Sequence, residues 1–225
     1  MKLGRRLQQI SDLIQHPYAH IWDCCCDHGL LGMQLLQRKI AGKVHFVDIV
    51  PELMQQVELR LQRHLPSELK TTWQVHCLDV AKIPLAARSE QGSLRGHLVI
   101  IAGVGGDLLI ELVEEISLRH PDQPLEFILC PVHHQNKVRA ALSQLSFGLI
   151  SETLVEENGR YYEILHVARY DTHPITLIGS QMWDLARDQD QHYLRKTIEH
   201  YQRKKLLSSL EQEALSQYRL LEMTR

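Results

Sequence analysis

The sequence predicts an α/β fold: a seven-stranded, mostly parallel sheet closed by an antiparallel hairpin, followed by a helical C-terminal appendage. Three observations carry this. Five β-rich apolar runs alternate with amphipathic helical stretches up to about residue 145. The period then changes, and Phe147 to Glu156 and Tyr161 to Tyr170 flank Glu157-Asn-Gly-Arg160, in which Asn-Gly signals a hairpin. From about Ser180 the pattern is helical to the end. A chain of 225 residues, 44% hydrophobic, can bury one full core and still have length for an appendage.

The first element is an amphipathic helix, with Leu3, Leu7, Ile10, Leu13 and Ile14 on one face and Pro17 to stop it. Ile21 to Cys25 follows as a buried strand, Cys26 to Gly29 as a tight loop, and Leu30 to about Lys39 as a helix. Gly42 turns into the strand Lys43 to Ile49, which carries Asp48 near its end. Pro51 takes the first position of a helix reaching His64. Thr71 to Leu78 is the third strand, with Asp79 at its carboxyl end. Gly96 to Ala102 is almost continuously apolar, the signature of a strand buried on both faces. It empties into Gly103-Val-Gly-Gly106 and a helix to about Arg119. Pro124 to Cys130 and Gln135 to Leu145 complete the fifth unit. In the tail, Leu194, Ile198 and Tyr201 form one apolar row, and Leu206, Leu210, Ala214, Tyr218 and Leu221 another. A break near Ser208-Ser209 makes a helical hairpin or a pair of coiled helices, and the expected domains are 1–172 and 173–225.

Composition narrows the function. Net charge is −2, which alone does not suggest nucleic acid. Lys2, Arg5 and Arg6 nevertheless precede the first acid, and Arg195, Lys196, Arg203, Lys204 and Lys205 lie near the end. Either cluster could bind RNA phosphate, and solvated helix faces look the same. Three of the five cysteines are consecutive, Cys24 to Cys26; neighbours on a strand alternate faces, so they cannot close a tetrahedral metal site. Their odd count fits a reducing compartment, with the thiols as small apolar fillers and no metal expected. With no apolar run of about 18 residues and no signal-peptide pattern, a soluble, cytoplasmic protein without a membrane partner is expected, a monomer favoured.

A strand that empties through small residues into a helix N-terminus is a nucleotide site in many α/β proteins. Here the loop carries two carboxylates, Asp23 and Asp27, which match a pyrophosphate poorly. They suit a cation or a ribose, and S-adenosylmethionine carries a sulfonium, an ammonium and a ribose. Six parallel strands and G-x-G-x-x-G, the marks of a dinucleotide site, are both missing. Five β/α units closed by an antiparallel hairpin is instead the ordering of Rossmann-like class I methyltransferases.

Asp23-x-Cys25-x-Asp27-His28, Ile101-Ala-Gly-Val-Gly-Gly106, Leu129-Cys-Pro131 and Glu156-Glu-Asn-Gly-Arg-Tyr-Tyr-Glu163 together resemble the bacterial tRNA (adenine-22-N1)-methyltransferases. The match is ordered along residues 1 to about 170, and that family also carries a C-terminal coiled-coil-like domain. It usually has Gly where Cys25 stands, so a Cβ here is expected to press on the bound nucleoside. It also tends to have Asn where Val132 stands.

The resemblance implies methyl transfer from S-adenosyl-L-methionine to N1 of an adenine in tRNA. Asp23 would order the first loop and reach the donor's ammonium; its plainer role is to cap the loop's own N–H groups. Cys25, Cys26 and Gly29 would lie along the donor by backbone. Asp48, with Ile49, would hold the ribose, or else cap the Pro51 helix. Asp79 and Val80 would sit by the donor's adenine, or simply end a strand. Ala102 and Gly103 would complete the cofactor edge, and Gly103, Gly105 and Gly106 would admit the target base and offer carbonyls to its N6 amine. Asp27 would stabilise the developing cation, with His28 lining the same loop. Glu157, Asn158 and Tyr161 could touch the base or its neighbours. Methylation of a small molecule or protein, or non-catalytic nucleotide binding, are the other readings the sequence allows.

Overall fold

The computed structural model describes residues 3–85, 94–169 and 173–224, without the side chains of Ser67 and Glu68. Lys2, Tyr170 and residue 172, where the expected domain boundary falls, lie outside the described residues. The strands are β1 (Tyr18–Cys24), β2 (Ala41–Asp48), β3 (Trp73–Cys77), β4 (Arg95–Ala102), β5 (Glu126–Cys130), β6 (Phe147–Glu157) and β7 (Arg160–Arg169). The helices are α1 (Arg5–Leu13), α2 (Leu30–Arg38), α3 (Pro51–His64), α4 (Gly106–Arg119), α5 (Gln135–Gln144), α6 (Asp188–Arg203) and α7 (Ser209–Met223).

One seven-stranded sheet runs in the order β3-β2-β1-β4-β5-β7-β6. The first five strands are parallel, and β7 enters antiparallel between β5 and β6. β1 is flanked by β2 on one side and β4 on the other, so strand order reverses there and a crevice opens at their carboxyl ends. On one face of the sheet Trp22, Val99 and Phe127 pack under Leu109 and Val113 of α4 and Val138 of α5. On the other, Ile21, Phe46 and Ile100 pack under Ile10 of α1, Leu35 of α2 and Val57 of α3.

Several boundaries differ from expectation. β1 ends at Cys24, leaving Cys25 to the loop. β3 is short because Ser67–Thr72 winds into a 3-10 turn first. Helix resumes only at Asp188, since buried Asp190 draws the preceding segment into a turn, accepting from Asp184 N and Arg187 Nη2, both at 2.7 Å. Leu206 leaves its predicted apolar row: it sits in the α6–α7 connection, 88% exposed. The break itself is where the sequence puts it, at Ser208, whose hydroxyl and Glu211 form a capping box.

α6 and α7 share an apolar cluster of their own (Leu194, Ile198, Ala214, Leu215) but are also tied to the sheet by buried polar groups. Tyr201 Oη donates to Asn136 Oδ1 at 2.7 Å, and Tyr193 Oη to Glu163 Oε1 at 2.7 Å. Arg139 is fully buried between Glu152 (2.6 Å) and Glu163 (2.8 Å). Glu152 in turn accepts from the backbone N–H groups of Ser180 and Gln181, fixing the chain as it leaves the sheet. Histidines that look scattered in sequence also converge. His20, His45 and His76 form a hydrogen-bonded row across β1, β2 and β3 at 3.0 and 2.9 Å, with burial holding His45 down to about 3.

Candidate active site

A cavity of about 190 Å³ opens at the carboxyl ends of β1 and β4. It is lined by the loop from Asp23 to His28, by Ala102 and Gly103, and by Arg6 and Leu7 of α1. The loop alternates into left-handed backbone at Cys25 (φ 53°), Asp27 (φ 49°) and Gly29 (φ 68°). Such values are costly with a Cβ present and free for glycine. The conformation is held by Cys26 N donating to Val47 O at 3.2 Å and Gly29 N to Cys26 O at 2.8 Å. Gly32 also needs its missing Cβ, which would overlap the Phe46 ring.

Asp23 is buried, and its Oδ2 accepts from Gly32 N at 2.8 Å in the first turn of α2. The α2 N-cap, Gly29, has no side chain, so Asp23 supplies the capping carboxylate from the preceding strand. Burial pushes its carboxyl up to about 7, against the pull of the Gly32 N–H; nearby Asp48 pushes the same way. Asp48 accepts from Asp27 N and Val50 N, each at 3.2 Å, so it both orders the loop and ends β2. Ile49 beside it is 69% exposed, an apolar face at the sheet edge. Asp79 caps its own turn, accepting from Ala81 N at 3.0 Å. Val80 buries its side chain in the core, so only its backbone is available to a ligand. Asp27 and His28 are exposed and face each other at 3.7 Å. Burial and the neighbouring acids push the Cys25 thiol up to about 12, and burial raises Cys24 and Cys26 as well. All three thiols therefore stay protonated at neutral pH.

The glycines after β4 separate. Gly103 (φ 86°) lines the cavity. Gly105 and Gly106 turn instead to the loop after β5: a Cβ on Gly105 would lie 2.8 Å from His133 Cε1, and one on Gly106 2.6 Å from His133 O.

Arg6 is the residue that sequence reasoning put in another place. Expected with Arg5 on an RNA-facing surface, it is half-buried in the cavity wall. Its guanidinium lies 4.9 Å from the centre of the Tyr162 ring, and its Nη atoms 3.7 Å from where a Gly103 Cβ would stand. Its Nε is buried, and among the described residues it has no hydrogen-bond partner. α1 is aimed there from both ends. Glu157 accepts from Arg6 N at 3.2 Å, and Arg38 grips Ser11 Oγ and Ile14 O, each at 2.8 Å. Glu157 thus caps α1 through one carboxylate oxygen. Arg5 points away, donating to Glu156 O at 3.5 Å. In the tail, Arg203 pairs with Glu199 (2.7 Å) and Lys204 with Glu211 (2.6 Å), while Arg195, Lys196 and Lys205 are exposed.

Residues 3–165 match the family described as "Methyltransferase domain". The chain belongs to that family. The matched span contains every residue lining the cavity at the strand tips and stops before α6 and α7. A Mycoplasma pneumoniae protein named "Putative tRNA methyltransferase" is 26% identical over 182 residues, 80% of this chain and 78% of that protein. The structure of M. capricolum TrmK with S-adenosyl-homocysteine is similar in fold, with a TM-score of 0.76, 16% identity and 98% of both chains covered. The B. subtilis m1A22 tRNA methyltransferase TrmK gives 0.68 at 20% identity, covering 99% of this chain and 96% of its own. The chain, C-terminal helices included, therefore shares its fold with these two TrmK structures. Among the described residues no helix is long and apolar enough to cross a membrane, and no group of three or more His, Cys, Asp or Glu could hold a metal ion.

Proposed function

We propose that this chain transfers a methyl group from S-adenosyl-L-methionine to N1 of an adenine in tRNA, at position 22 by analogy with the B. subtilis relative. The observation that carries the reading is the pairing, in one cavity at the strand tips, of a buried carboxylate with a buried, unsatisfied guanidinium nitrogen. Asp23 and Arg6 are the two charges an amino-acid moiety needs, one for its ammonium and one for its carboxylate. Asp48 at the end of β2 suits the ribose hydroxyls, and exposed Ile49 a face of the nucleoside. Cys25, Cys26 and Gly29 contribute backbone along the loop, and Asp79 with the Val80 backbone lies at the next strand tip. The donor supplies an electrophilic methyl group on a sulfonium sulfur.

The chain's own part is alignment and charge. Adenine N1 already presents a lone pair, so no base is needed to deprotonate it. The methylated base gains the positive charge the donor loses, and exposed Asp27, beside His28 on the cavity rim, stabilises that charge. Gly103 leaves the rim open to an extruded base, and holding it in line does much of the rest. Residues 1–172 would act as the catalytic domain and 173–225 as the tRNA-gripping one, with Arg5, Arg195, Lys196 and Lys205 facing phosphates. The protein would work in the cytoplasm. The test is nucleoside mass spectrometry of tRNA incubated with protein and donor. We expect 1-methyladenosine, lost in Asp27→Ala; methylation of another base, or none, overturns the reading.

A further inference from the structure

A second cavity, about 410 Å³, lies between the β6–β7 hairpin, the loop after β5 and α6. Arg160, Tyr161 and Tyr162 line it from the hairpin, His133 from the loop, and Lys196 and His200 from α6. Among the described residues, no carboxylate lines it. Lys196 Nζ stands 5.6 Å from the centre of the Tyr161 ring. This groove neighbours the methyl-donor cavity through two contacts between their linings. Tyr162 carries Arg6 on its ring as well as lining the groove, and His133 packs on Gly105, two residues beyond Gly103.

The combination of aromatic faces and unopposed cations suits one ligand chemistry, a nucleotide of a single-stranded or opened RNA segment. Bases stack on aromatic rings whatever their sequence, and lysine and arginine meet the phosphates between them. An adenine extruded to reach the donor brings its flanking nucleotides against the protein surface around the site. We propose that this groove holds a nucleotide adjacent to the methylated adenine, its base against Tyr161 and its phosphate at Arg160 and Lys196. The inference rests on the tRNA reading above. It explains why the C-terminal helices are fused to the catalytic body: α6 supplies one wall of a groove whose other walls border the reacting base.

The test compares tRNA binding by the full-length protein with three variants, each checked for S-adenosylmethionine affinity by calorimetry. Tyr161→Ala is expected to weaken tRNA binding about tenfold with no change in salt dependence, and Tyr161→Phe to restore it. Lys196→Glu is expected to weaken it about tenfold and to lower the slope of log K against log salt by about one. Donor affinity should be unchanged in all three. If the unaltered protein binds no tRNA, the tRNA reading and this inference both fall. If it binds and methylates tRNA while Tyr161→Ala and Lys196→Glu bind equally well, the groove serves something other than RNA and this inference alone is overturned.

Discussion

With Asp23 proposed to meet the donor's ammonium, donor binding should depend on pH. Its carboxyl is raised from 3.8 to about 7, chiefly because the cavity wall strips it of water. At pH 6 only about a tenth of the molecules carry the charge that a donor ammonium requires. Affinity should therefore weaken about tenfold for each unit below pH 7 and level off near pH 7.5, with protons released on binding. Stability must move the opposite way. A carboxyl whose folded-state value is raised contributes most below pH 3.8, and that contribution is lost as pH rises through 7. The difference is about 4 kcal/mol at most. Asp23→Asn keeps an acceptor for Gly32 N and removes the buried charge. It should be more stable than the parent at pH 8, bind the donor about 10- to 100-fold more weakly there, and show a flat pH profile. Calorimetry in two buffers of different ionisation heat, together with urea denaturation, measures both quantities. Constant donor affinity in the parent from pH 5.5 to 7.5 would refute the assignment of Asp23 to the ammonium.

Three further expectations concern the scaffold and are read by chemical denaturation. Cys24→Gly should cost about 1–2 kcal/mol more than Cys25→Gly, because Cys24→Gly loses a buried thiol, whereas Cys25 is only half-buried and its replacement is relieved of left-handed backbone. Gly106→Ala should cost about 1–3 kcal/mol, its Cβ meeting His133 O, whereas Gly96→Ala has open space and should be nearly neutral. Arg139→Met should cost about 3–5 kcal/mol by leaving Glu152 and Glu163 buried without a cation, and neutralising both as glutamines should recover most of that loss.

The alternation of strands and helices, the hairpin and the α7 cap are legible in sequence because each has a local signal: apolar period, Asn158-Gly159, and Ser208 three residues before Glu211. Arg6 has none. An arginine on a nine-residue amphipathic helix looks the same whether its helix face meets water or a cavity. What decides is Glu157, 151 residues away, capping α1, and Arg38 holding its other end. The glycines after β4 are illegible for a related reason. Gly103, Gly105 and Gly106 form one motif in sequence, yet only packing shows that the first borders the cavity and the other two accommodate His133.

β7 explains how two cavities come to be neighbours. Along its first residues the side chains alternate as strand geometry requires. Tyr162 and Ile164 join the α1 face of the core, where Tyr162 carries Arg6. Tyr161 and Glu163 turn the other way, Tyr161 toward Lys196 and Glu163 onto Arg139 and Tyr193. One register, fixed at the Asn158-Gly159 turn, thus sets which residues of β7 meet the α1 face of the core and which meet Arg139 and the C-terminal helices. A slip of one residue would exchange the faces and dismantle both. The late hairpin is therefore the part of this fold that couples the place of methyl transfer to the surface proposed to grip the RNA.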